Sequence, residues 1–132
     1  MGIQFITLKR KVMTVISNKN VEEYYFDSEG CYITELLNSD IDSDVSIARA
    51  RVKPGVSTAW HKLKSTTERY CILSGSGLVE IGDLPPAQVT VDDVVIIAPG
   101  QRQKITNTGQ EDLLFLAICS PRFETKNYQP AE

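Results

Sequence analysis

Eight runs of β-forming residues, five to nine long, follow one another along this 132-residue chain. They cover 30–37, 44–52, 68–75, 77–82, 87–91, 93–100, 103–107 and 112–120. Each is closed by Gly, Pro, Asn or Asp, the residues that turns require. Runs such as DVSIARARV alternate apolar and polar residues, so successive side chains point to opposite faces. Only 8–16 and 18–26 have room for a short helix. The pattern therefore predicts an all-β fold, an antiparallel sandwich or barrel. Asn107-Thr108-Gly109 reads as a tight connection between two strands. Pro85-Pro86 cannot continue a central strand. The closing NYQPAE reads as a loose tail.

The length suits one domain with one sizeable core. We expect a single domain over 1–132, with a barrel core at about 30–120, an N-terminal extension at 1–29 and a tail at 121–132. The net charge of −3 leaves no electrostatic footprint for nucleic acid or an anionic membrane. The one basic cluster, Lys9-Arg10-Lys11, reads as a solvated surface. No apolar run approaches the roughly 18–20 residues needed to span a bilayer. The first residues lack the apolar region and cleavage site of a secretory leader. Cys31, Cys71 and Cys119 are odd in number, far apart and set in apolar runs, and no CxxC pair is present. They read as reduced thiols of a cytoplasmic protein.

Two stretches carry a spacing that the strand pattern does not require. The first is GVSTAWHKLKSTTERYCILSG, Gly55 to Gly75. It places the only histidine, His61, six residues after Gly55 and seven before Glu68, with Gly75 seven further on. The second is DDVVIIAPGQRQKITN, Asp92 to Asn107. Together they resemble the two short motifs of the cupin superfamily, over about residues 45–120. The family's first motif has two histidines in His-x-His, a glutamate and flanking glycines; here Leu63 stands at the second histidine. In the second motif Asp92 stands at a glycine, Ala98 at a proline and Gln103 at a histidine, while Gly100 and Asn107 match. A looser likeness, through TTERY, NTG and CSPRF, is to small bacterial cupins labelled mannose-6-phosphate isomerase-like, a label that rests on fold.

The resemblance implies a double-stranded β-helix, the jelly-roll cupin barrel, pairing as a homodimer. It implies a metal site built from His61, Glu68 and Gln103. Imidazole and carboxylate suit Zn, Fe, Mn, Ni or Co, and a glutamine carbonyl is a weaker donor. With two imidazoles replaced, the expectation is one weakly held divalent ion or none. Without metal, Glu68 and His61 would form an acid–base pair in a dry pocket. Trp60, Leu63 and Tyr70 are expected to line that pocket. Arg49 and Arg51 share one strand face; inward, they would bind a carboxylate or phosphate, and outward they would be surface residues. The expected function is binding of a small polar molecule, a sugar or carbonyl compound, with isomerase, lyase or cyclase chemistry. The alternative is a ligand-binding barrel without catalysis.

Overall fold

Alternation decides which face of each strand is buried. In the strand Thr67–Ser74, residues 68, 70 and 72 are buried and their neighbours are not. The computed structural model, which describes residues 13–132, has eleven strands, and several of them repeat this alternation. These are β1 (Tyr24–Phe26), β2 (Cys31–Leu37), β3 (Ser46–Val52), β4 (His61–Leu63), β5 (Thr67–Ser74) and β6 (Ser76–Ile81). They continue as β7 (Ala87–Thr90), β8 (Val94–Ile97), β9 (Gln103–Asn107), β10 (Leu113–Ser120) and β11 (Tyr128–Pro130). Short 3-10 turns at Asp40–Asp42 and Thr125–Asn127 are the only helical pieces among the described residues.

All pairings are antiparallel. One sheet has the order β1-β2-β3-β10-β5-β8 and the other β11-β4-β9-β6-β7. The chain crosses between them at sharp turns. Gly75, alone between β5 and β6, has φ +87°, and a Cβ there would meet the Asp112 carbonyl at 2.9 Å. Between β7 and β8, Asp92 adopts φ 73°. Asp stands there in place of the family's glycine and is one of the few other residues that enter this region. Asn107 holds the connection after β9: its amide donates to the Val52 and Glu111 carbonyls and its oxygen accepts from Gly109 N–H.

The two buried faces meet unevenly. Val52, Ile72, Val79, Val89, Val95, Ile105 and Leu113 fill one end of the sandwich. Toward the other end lies a cavity of about 280 Å³. Its walls come from β1, β2, β3, β5 and β10 of the first sheet and from β4 and β11 of the second.

Two expectations change. The room for a short helix at 18–26 is not used: residues 19–20 turn and Tyr24–Phe26 form β1, because Tyr25 and Phe26 pair with Tyr32 and Cys31 of β2. Of the other helical candidate, 13–16 is irregular and 8–12 lies outside the described residues. The NYQPAE tail is not loose. Tyr128, Gln129 and Pro130 pair with Leu63, Lys62 and His61, and Ala131 N–H donates to the Trp60 carbonyl.

Candidate functional site

Strand parity brings the site together. His61 and Leu63, two apart on β4, face inward, and His61 stands opposite Gln103 on β9. Glu68 and Tyr70 face inward from β5 in the other sheet. His61, Leu63, Glu68 and Tyr70 all line the cavity and are all buried.

His61 is held from three sides. Its Nδ1 donates to the Ala59 carbonyl at 2.7 Å, which directs Nε2 to Glu29 Oε1 at 2.6 Å. Tyr128 stacks on the ring, 15° from parallel, with centroids 5.3 Å apart. Burial opposes protonation of the imidazole, but the Glu29 hydrogen bond and charge outweigh it, and the pKa is raised.

Glu68 is only 8% exposed. Its Oε2 accepts from the Cys119 thiol at 3.8 Å, and its Oε1 has no partner. Burial, then the Glu29 charge, pushes its pKa up to about 7, against the smaller pull of His61, Gln103 and Cys119. Glu29 is arranged alike, with the Cys31 thiol donating to its Oε2 at 3.7 Å. Both thiols are pushed well up by burial and by the neighbouring carboxylates, so they remain neutral donors.

Glu29 and Tyr128 are the residues that sequence reasoning missed. Glu29 sits in the turn Asp27–Gly30, where a glutamate reads as solvated. Its signal was parity: Glu29, Cys31, Ile33 and Glu35 are in phase, and all four line the cavity. Tyr128 had no signal inside a segment read as a tail.

Three expected ligand-binding residues stand elsewhere. Arg49 is exposed on the outer face of β3. Arg51, on the same face, bonds Glu23 at 2.7 Å and Asp112 at 3.1 Å and covers the Tyr32 ring. The even-numbered residues Ser46, Ala48 and Ala50 take the inward face, so the odd-numbered arginines face out. Trp60 does not line the cavity; the Arg102 guanidinium lies over its ring at 4.0 Å.

The metal set of His61, Glu68 and Gln103 does not fit a divalent ion as it stands. Gln103 is buried but does not line the cavity, and its carbonyl accepts from the Tyr70 hydroxyl. His61 Nε2 is engaged by Glu29. Position 63 offers only hydrocarbon. Among the described residues no three His, Cys, Asp or Glu side chains converge as metal ligands.

The comparisons with known proteins agree with this architecture. The cupin domain family matches residues 48–119, and the chain belongs to that family. Uncharacterized protein MJ1618 of Methanocaldococcus jannaschii is 33% identical over 110 residues, 82% of this chain and 87% of that protein. The oxalate-binding protein of Thermotoga maritima is 37% identical over 73 residues, 54% of this chain and 58% of that one. A predicted oxalate decarboxylase of Thermotoga maritima superposes with a TM-score of 0.72 at 24% identity, covering 82% of this chain and 99% of its own. This likeness shows the double-stranded β-helix fold. The protein is thus a small cupin with a cavity of small-molecule size, and no helix among the described residues is long and apolar enough to cross a membrane.

Proposed function

We propose that this cupin binds a small molecule bearing a hydroxyl or carbonyl group in the cavity and moves a proton on it. Glu68 and His61 act as the acid–base pair, without a metal, in an isomerisation or elimination. The observation that carries this reading is Glu68: a buried carboxyl in the cavity wall with one oxygen unpartnered. A carboxyl that titrates near neutrality both gives and takes a proton readily at physiological pH. The second proton position is the hydrogen bond between His61 Nε2 and Glu29 Oε1, two residues that both line the cavity. The outward Arg49 and Arg51 are assigned no part in it.

The test is solvent exchange. Chelator-treated protein is incubated in D2O with neutral hydroxyaldehydes and hydroxyketones and followed by proton NMR. Deuterium uptake beside the carbonyl is expected from the native chain and not from Glu68→Gln. Equal uptake by both, or uptake that chelation abolishes, overturns the metal-free pair. Binding without catalysis is the second reading, favoured by the hydrocarbon wall at Leu63. It stands if a compound binds in the cavity but the native chain exchanges no proton. The protein is further proposed to act as a cytoplasmic homodimer, in keeping with its three free cysteines. Light scattering of the native chain measures the oligomeric state.

A further inference from the structure

The charges around the cavity are one-sided. Three glutamates line it, Glu29, Glu35 and Glu68, while no lysine or arginine among the described residues does. The one basic group, His61, is matched by Glu29 at 2.6 Å. That leaves Glu35 and Glu68 with no basic partner among the described residues. Glu35 accepts only a 3.4 Å hydrogen bond from Tyr24. Glu68 Oε1 accepts none, although the side chain is 8% exposed and lies in the cavity wall.

The rest of the lining mixes aromatic rings with small and aliphatic side chains. Tyr24, Phe26, Tyr70, Phe115, Phe123 and Tyr128 contribute six rings. Four of them pack in two pairs: Phe26 meets Tyr128 edge-on at 5.4 Å and Tyr70 meets Phe115 at 4.5 Å. Aromatic faces attract cations and repel anions, most strongly where water is excluded. Carboxylates add to this, since a charge pair gains strength away from bulk water. The volume stands just below the roughly 300–1,000 Å³ of small-molecule sites.

From this geometry we infer that the cavity selects a small organic cation, its ammonium group seated between Glu35, Glu68 and the aromatic rings. The inference rests on the reading of the cavity as the ligand site and names the charge class of the ligand. A bound ammonium gives the Glu68 carboxyl, which no lysine or arginine of the cavity wall faces, a partner of opposite charge. Oxalate, a dianion, and sugar phosphates meet three glutamates and no lysine or arginine there, with the sole imidazole already paired. The oxalate of the Thermotoga maritima relative's name therefore does not transfer to this wall.

Choline and its neutral isostere 3,3-dimethylbutan-1-ol, which differ in one charge and little in shape, form the test pair, with oxalate as the anion. Titration calorimetry of the full chain at pH 8 measures affinity. The ring signals of the single histidine report by NMR whether binding is in the cavity. Choline is expected to bind and to shift those signals, the alcohol to bind at least about ten-fold more weakly, and oxalate to give no binding. Glu35→Gln, which leaves Glu68 and His61 in place, is expected to weaken choline several-fold and leave the alcohol unchanged. If the alcohol binds as tightly as choline, or oxalate binds more tightly, the cation inference falls and the cavity reading stands. If none of the three shifts the histidine while the exchange test succeeds, the cation inference again falls alone. Silence in both experiments removes both.

Discussion

Below its folded pKa Glu68 is a neutral acid in an apolar wall, the form that burial tolerates. In the unfolded chain it ionises at an ordinary 4.5, and in the folded chain at about 7. Between those values the folded state holds the extra proton, so stability falls as pH rises from about 4.5 to about 7. Glu68→Gln should remove most of that slope and leave the part that Glu35, also raised by burial, contributes. The variant should match the native protein below pH 4.5 and exceed it above pH 7, by about 3 kcal/mol in urea unfolding. A native slope that survives the substitution undiminished would sink the assignment. The His61 shift acts in the same direction: a raised imidazole pKa stabilises below the unfolded value of 6.5 and is lost as pH rises through the folded pKa. Glu29→Gln removes the hydrogen bond and charge that raise it and leaves the burial that lowers it. The histidine pKa, followed by NMR without ambiguity because the chain has one, should then fall below 6.5. At this scale the motif positions were legible, since spacing in a strand preserves the face. Glu29 was not, because what makes it part of the site is its bond to a histidine 32 residues on, across two sheets.

Strand pairing explains both what the motif keeps and what it has lost. Positions 61 and 63 share the inner face of β4, and 103 stands across from 61 on β9, so the framework of the family's ion site persists without two of its imidazoles. Leu63→His combined with Gln103→His should therefore create a binder of one Zn or Ni ion per chain, measured by elemental analysis after dialysis alongside the native chain, which is expected to retain far less. A double variant that folds and stays metal-free would show that the Glu29–His61 pair, and not the missing imidazoles, closes the site to metal. Most strands were readable because an inward-facing period of two survives in the sequence. β4 and β11 were not. Each has three residues, too few for alternation to register; β11 pairs with β4 alone, and β4 meets β9 at a single position. The same holds for β1, whose three residues read equally well as helix. These three short strands are the ones that bring Tyr24, Phe26, His61 and Tyr128 to the cavity. The site is therefore less legible than the fold that carries it.

Across the whole molecule the sandwich divides into a filled end and a hollow end, and the two should answer differently to the same deletion. Alternating strands predicted a barrel but not where its interior would be left open, because that depends on how side chains from both sheets meet. Ile105 sits at the filled end, fully buried, against strands of both sheets. Leu63, 4% exposed, borders the cavity. Truncating Ile105 to Ala leaves a new hole that close-packed neighbours cannot fill, so the lost transfer energy is joined by a cavity term, about 4 kcal/mol together. Truncating Leu63 to Ala only enlarges a space that already exists, and the transfer term alone is about 2 kcal/mol. Urea unfolding of the two variants, with equal slopes, should show Ile105→Ala as the less stable by about that difference. Ligand affinity should show the reverse order, with Leu63→Ala altered and Ile105→Ala unchanged at temperatures where it stays folded. Equal losses of stability at the two positions would mean that the hollow end is packed in solution, and the cavity would then have no claim to be a binding site.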